Sequence, residues 1–153
     1  MAGVNKDIVS CWCSCYDRFK DQPKNLVEDL KGMSVNQACE SIYDYMISHT
    51  RYQLDADGEQ LIKSPGRLLA DGCGDCKSYT MFIASCLHCL GIPCIVRFVN
   101  FDGGDQYTHV YPVAIDEKGN EIIMDACELN EQGVPYYDYA RPYEKKKDIV
   151  YYD

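Results

Sequence analysis

The sequence contains no apolar run approaching the roughly 20 residues that a helix needs to cross a bilayer, so no membrane span is expected. It is also short of positive charge: 15 Lys and Arg stand against 24 Asp and Glu, a formal net charge of −9. No broad basic surface is left to neutralise a phosphate backbone, which argues against a nucleic-acid partner. The one basic run, Lys145-Lys146-Lys147, lies among acidic and aromatic residues and reads as a solvated charged face. There is no internal repeat, and Met1 to Tyr16 offers no basic stretch followed by the apolar segment of a secretory signal. A cytoplasmic location is therefore expected, in which the ten cysteines stay reduced instead of forming a disulfide framework.

What is present is ordinary for one globular domain: 153 residues, 46% hydrophobic and 25% charged. We expect a single domain over 1–153, with its core at about 34–128, a Cys-rich N-terminal segment and a Tyr-rich C-terminal tail. Ser34 and Gln37 form a capping box, after which Val35, Ala38, Cys39, Ile42, Tyr45 and Met46 recur at helical spacing. The pattern predicts a helix over about 35–48. Ser64-Pro65 opens a short helix that Gly72 closes. From Cys76 onward, Thr80, Ile83, Leu87 and Leu90 form one seam, ended by Gly91 and Pro93.

Three strand-like stretches follow, 92–101, 106–115 and 121–126, separated by Asp102-Gly-Gly-Asp105 and Asp116-Glu-Lys-Gly-Asn120. Helices followed by an antiparallel meander give the class α+β. Pro112 argues against uninterrupted pairing in the middle strand and marks a candidate bulge. The tail, with Tyr136, Tyr137, Tyr139, Tyr143, Tyr151 and Tyr152, is aromatic enough to pack over the domain but has no clear periodicity.

The chemistry is concentrated in Asp71-Gly-Cys-Gly-Asp-Cys-Lys-Ser-Tyr-Thr80, Tyr107-Thr-His109 and Met124-Asp125. A cysteine in the first turn of a helix lies where unpaired N–H groups and the positive end of the macrodipole favour the thiolate. If the second hairpin turns about Glu117, His109 and Asp125 face each other, because their numbers sum to twice 117. Opposed side chains lie about 5 Å apart, within reach of an imidazole–carboxylate hydrogen bond. The order is that of nucleophile, base and orienting carboxylate.

These residues resemble the transglutaminase-like branch of the papain-like cysteine enzymes, over about Tyr52 to Glu128. Small phage-encoded or prophage-encoded members are especially similar, sharing a Gln and Ser-Pro lead-in like Gln60 and Ser64-Pro65. They also share a Leu-Gly-Ile-Pro turn like Leu90 to Pro93 and a Thr-His-Val-Tyr run like Thr108 to Tyr111. The resemblance implies a transglutaminase-core fold, with N-terminal helices and the nucleophile helix packed on an antiparallel sheet. It implies that Cys76 attacks an acyl carbon, His109 carries the proton and Asp125 fixes the imidazole. Backbone N–H groups at Cys76 would supply part of an oxyanion hole, with Gln60 and Tyr52 as side-chain candidates.

The expected function is acyl transfer from a protein or peptide amide through a thioester, with hydrolysis by a cysteine protease or amidase preferred. A protein-glutamine transglutaminase or deamidase, and a non-catalytic phage-associated interaction module, are the alternatives. A phage origin would place the protein in the bacterial host cytoplasm or on the virion, with a phage structural protein as a partner. No cofactor is implied. Large calcium-dependent transglutaminases carry β domains that this chain is too short to contain, so calcium is not carried over. Asp55-Ala-Asp57-Gly58 lacks the remaining ligands of a calcium loop and reads as a turn.

Three other clusters compete for attention. Cys73, Cys76, Cys86 and Cys89 have zinc-like spacing, but a continuous helix holds the two pairs roughly 15 Å apart at about 1.5 Å per residue. Cys86, Cys89 and Cys94 then read as small core residues. Cys11, Cys13 and Cys15 would alternate across a strand or spread around a helix, which disfavours a metal site; Cys73 could pair with Cys76 in a regulatory disulfide. His49 reads as a helix-end residue, and His88 lies off the buried seam. No metal is expected.

Overall fold

The computed structural model describes residues 6–54, 62–127 and 137–151. The first helix, α1 (Lys6–Phe19), buries Ile8, Val9, Trp12 and Tyr16, which share one face at helical spacing. The Cys11-Trp-Cys13-Ser-Cys15 cluster is thus helical, and its cysteines spread from exposed Cys11 to half-buried Cys13 and Cys15. Two single-turn 3₁₀ helices, Gln22–Lys24 and Glu28–Leu30, lead to α2 (Val35–His49). The expected capping box is formed: Ser34 Oγ accepts the Gln37 N–H at 3.2 Å, and Gln37 Oε1 accepts the Ser34 N–H at 3.3 Å. A short strand, β1 (Arg51–Tyr52), follows.

Next comes α3 (Pro65–Asp71), capped by Ser64 and closed by Gly72 at φ 71°, where a side chain would be strained. A second short strand, β2 (Cys73–Gly74), pairs in parallel with β1, and α4 (Cys76–Cys89) begins two residues later. The apolar seam of α4 describes only one side of it. Every residue from Cys76 to Leu87 is buried. Helices α1, α2 and α3 pack against this helix, as do β3 and β4 of the main sheet described next.

The main sheet holds β3 (Cys94–Asn100), β4 (His109–Ile115), β5 (Glu121–Ile123) and β6 (Lys145–Tyr151) in the order β5-β4-β3-β6, all antiparallel. Helices followed by this sheet make the fold α+β. Alternation sorts its residues: Val96, Phe98, Val110 and Ala114 join the main core, whereas Val99, Tyr111 and Val113 form a smaller cluster. Tyr143, Ala140 and Phe101 pack on that smaller cluster, and the Tyr137 hydroxyl donates to Asn36 Oδ1 at 2.9 Å. The described part of the tail therefore covers the domain.

Sequence patterning misses β6. Its first three residues are Lys145, Lys146 and Lys147, exposed as expected, but they belong to an edge strand, where lysines discourage further pairing. The strand is tied inward by Arg97 on β3. That guanidinium donates to Asp148 Oδ1 at 2.9 Å on β6 and to both Glu121 oxygens, at 3.1 and 3.0 Å, on β5.

Pro112 makes no bulge. The pairing with β3 keeps a single register from Cys94↔Ala114 to Val99↔His109, with Pro112 opposite Val96. Its carbonyl accepts the Met124 N–H at 3.0 Å, so the side of the residue that lacks an N–H faces the β5 edge. The paired residues of β5 stop one position earlier, at Val113↔Ile123. The strand predicted over 121–126 is accordingly only three residues long, and Met124 to Cys127 leave the ladder.

Trp12 is fully buried, stacks on Tyr16 at a centroid distance of 5.3 Å and donates its indole N–H to the Lys77 carbonyl at 3.0 Å. Trp12→Ala is expected to lower stability by about 3–5 kcal/mol. Urea unfolding followed by far-UV circular dichroism checks this, and a loss under about 1 kcal/mol would show that α1 is not integral to the core.

Candidate active site

Glycine lies close to its neighbours just before the candidate nucleophile. A Cβ at Gly74 would lie 2.7 Å from Leu68 Cδ1 and 3.1 Å from Ser78 Cβ, so a larger residue would push the buried Leu68 side chain of α3 away from the start of α4. Asp75 then caps α4, accepting the Lys77 N–H on Oδ1 at 3.0 Å, while its other oxygen holds the Lys77 ammonium. Both side chains are buried. Cys76 follows as the first helical residue, 6% exposed, at the end of the helix where the macrodipole favours an anion.

His109 opens β4 and is 7% exposed. Its Nε2 lies 2.6 Å from Asp125 Oδ2, and the Cys76 side chain lies near enough to the imidazole to raise its pKa. The other oxygen of Asp125, Oδ1, accepts the Cys127 N–H at 3.1 Å. The imidazole packs between Phe101 and Tyr111, with centroid distances of 5.8 and 5.9 Å. Burial opposes its positive charge, but the hydrogen bond to Asp125 and the nearby Cys76 outweigh that cost and hold the pKa well above the ordinary histidine value.

The structure therefore brings Cys76, His109 and Asp125 together, though not in the expected register. The turn accepts the Gly119 N–H on the Asp116 carbonyl at 3.0 Å, with Gly119 at φ 84°. The pairs Ile115↔Glu121 and Val113↔Ile123 centre the hairpin on Lys118, not Glu117. Extending that register sets Asp125 opposite Tyr111, so His109 and Asp125 are diagonal neighbours. A shift of two residues preserves the face, and diagonal positions remain within reach of long side chains.

Tyr52 is half-buried on β1, whose partner residue is Gly74, two positions before Cys76. Burial first, then the nearby Cys127, Cys76, Asp75 and Asp125, push its phenol pKa far up, so the hydroxyl remains a donor. The second oxyanion candidate, Gln60, and the Asp55–Gly58 turn lie outside the described residues. Sequence reasoning passed over Cys127, although its spacing of two from Asp125 places it beside the site. It also missed buried Lys77, which the charged residue type itself concealed.

The competing clusters separate as the helix argument requires. Cys86 and Cys94 are buried, Cys89 and Cys73 are half-buried, and all ten cysteines are free thiols. Among the described residues, the one group with metal-ligand spacing is instead His109, Asp125 and Cys127. His49 bonds the Tyr45 carbonyl at 2.8 Å and His88 the exposed Asp21 at 3.0 Å, both through ring nitrogens.

Two outcomes follow from this geometry. Gly74→Ala is expected to destabilise the fold by about 1–3 kcal/mol through overpacking. It should also slow alkylation of Cys76; unchanged stability and labelling would remove the close-approach argument. Because the native pKa of His109 is raised, its stabilisation is fully present below about pH 6.5 and is lost as pH rises through the native value. Urea midpoints of wild type and His109→Gln should therefore converge between mildly acidic and alkaline pH, and a pH-independent gap would contradict the shift.

Residues 24–126 match the transglutaminase-like superfamily. Among solved structures, a candidate cysteine protease from Cytophaga hutchinsonii aligns with a TM-score of 0.55 at 14% identity, covering 87% of this chain and 51% of that one. A candidate protease from Parabacteroides distasonis gives a TM-score of 0.62 at 13% identity, covering 77% of this chain and 26% of that one. Calcium-bound LapG from Legionella pneumophila gives 0.54 at 18% identity, covering 78% and 73%. No match emerged among curated proteins. This chain thus spans about half the length of the first of these structures and a quarter of the second. These likenesses support the fold, and the sequence match extends over two thirds of the 153 residues: the chain belongs to the transglutaminase-like superfamily.

Proposed function

We propose that the protein is a cysteine acyl-transfer enzyme that cleaves a protein or peptide amide through a thioester on Cys76. The observation that carries this reading is the buried pair of His109 Nε2 and Asp125 Oδ2 at 2.6 Å, with the Cys76 side chain at the helix start close enough to raise the imidazole pKa. The Cys76 thiolate attacks the amide carbonyl carbon, forming the C–S bond and placing negative charge on the carbonyl oxygen. The Cys76 N–H at the helix start and the Tyr52 hydroxyl are the proposed donors to that oxyanion. The imidazolium of His109 passes its proton to the leaving nitrogen as the C–N bond breaks.

In the second half of the reaction the neutral imidazole takes a proton from water, which attacks the thioester and releases the acid and the Cys76 thiolate. Throughout, Asp125 holds Nε2 and leaves the other ring nitrogen for the thiol and the leaving group. An amine in place of water would give transamidation by the same steps. Ten free thiols support a reducing compartment for this chemistry.

The test is intact-mass analysis after brief limiting iodoacetamide, followed by cleavage assays on a peptide library with water or a lysine analogue as acceptor. Wild type should take up one label rapidly. Cys76→Ala should lose it, and His109→Ala should slow amide turnover by about 10²–10⁴-fold. The raised His109 pKa keeps the general acid protonated, so the alkaline limb of turnover should fall above the ordinary histidine pKa of about 6.5. Equal labelling of Cys76 and the core cysteines would defeat the proposal.

A further inference from the structure

The described residues contain one cluster of soft and borderline metal donors that acyl transfer does not use in full. His109, Asp125 and Cys127 each present a ligand atom, and these atoms all lie within 4.8 Å of one another. The three side chains come from the start of β4 and from the segment that departs the ladder beyond β5. His109 and Asp125 are buried and Cys127 is half-buried, so a bound ion would be largely withdrawn from water.

We infer that His109, Asp125 and Cys127 form an inhibitory zinc site. One imidazole nitrogen, one carboxylate oxygen and one thiolate sulfur suit zinc, a borderline ion that accepts all three types. With Zn–N and Zn–O bonds of about 2.0–2.2 Å and a Zn–S bond of about 2.3 Å, tetrahedral ligand atoms lie roughly 3.3–3.6 Å apart. The separations of up to 4.8 Å would have to contract and the 2.6 Å His109–Asp125 contact would have to open to reach that geometry. Three protein ligands leave a fourth position for water.

The charges close as well. A carboxylate, a thiolate and a neutral imidazole balance the two positive charges of the ion, so the filled site is neutral, as a buried site requires. Starting from the imidazolium and the Cys127 thiol, binding releases the Nε2 proton and the thiol proton. Asp125 then holds the metal instead of the imidazole N–H, and Nε2 is engaged. His109 can no longer carry charge between Cys76 and Asp125. Binding itself follows from the donor set, whereas its inhibitory effect rests on the acyl-transfer reading above.

The experiment uses the full chain, reduced with a non-chelating phosphine and titrated with Co²⁺ as the optical probe and then with Zn²⁺ as competitor. One equivalent of Co²⁺ should produce thiolate-to-cobalt charge transfer and the intense visible bands of tetrahedral cobalt. Cys127→Ser should weaken binding at least tenfold and remove the charge-transfer band, with far-UV circular dichroism confirming the fold. Cys76→Ala and a Cys11→Ser, Cys13→Ser, Cys15→Ser triple variant should both retain the site. Stoichiometric Zn²⁺ should slow alkylation of Cys76 in wild type but not in Cys127→Ser, and a chelator should restore it.

A cobalt spectrum that persists in Cys127→Ser, or disappears only in the triple variant, would overturn the inference, as would no binding. A Cys127-dependent spectrum in a protein without amide turnover would leave the site standing and defeat only the catalytic reading. Rapid turnover with no metal binding would do the reverse.

Discussion

A helix buried on every side leaves its polar side chains no water, so each must find a partner in whatever packs against it. In α4 those partners come from separate parts of the chain. The Lys77 carbonyl receives the Trp12 indole of α1, and Ser78 Oγ receives the Lys63 N–H ahead of α3. Tyr79 accepts from the Thr50 hydroxyl just after α2, and Thr80 donates to the Val110 carbonyl of β4. Three helices and the sheet are therefore pinned to consecutive residues of the first α4 turn and a half. Ser85 is the exception, with no hydrogen-bond partner among the described residues. The fixed point created by these bonds is the N-terminus of α4, where Cys76 sits.

The sheet supplies the other two members of the site by ending in the right place. Arg97 bonds acidic side chains on β5 and β6, and the β3–β4 register brings His109 to the end of the paired strand. Pro112 has no N–H on the side where β5 would continue. The chain is thereby released after Ile123, and Asp125 approaches His109 diagonally, with its remaining oxygen held by the Cys127 N–H. The proline that reads as a candidate bulge in the sequence instead ends the β4–β5 pairing close to Asp125.

What could be read from sequence divides along local and non-local physics. The Ser34–Gln37 capping box, the Ser64-Pro65 start and the glycine closure at Gly72 depend on a few neighbouring residues, and all appear as expected. The exposed lysines of β6 carried no alternation strong enough to announce a strand, because that strand is recruited by Arg97 on another one. The complete burial of α4 was hidden for a related reason: Lys77 and Ser78, off the apolar seam, look like a solvent face until their partners are known. The hairpin centre was misplaced by one residue, displacing the register sum by two. That even displacement exchanged an opposed pair for a diagonal one on the same face, which is why the proposed pairing of His109 with Asp125 survived.

The electrostatics favour a charged imidazole at His109. Asp75, Asp125 and Cys76 lie close enough to Cys127 to act on its thiol, within a protein of net charge −9. Asp75 is answered locally by Lys77, which cancels the nearest carboxylate at the helix start. Burial opposes the charge on His109, but the Asp125 hydrogen bond and the nearby Cys76 outweigh it and raise the pKa; burial first, then Asp125, Cys76 and Asp75, raises the Cys127 thiol pKa and keeps that neighbour protonated. A protonated His109 between Cys76 and Asp125 then makes the cluster close to neutral without importing a cation. The acidic surroundings therefore favour the imidazolium at His109, which Asp125 holds at 2.6 Å.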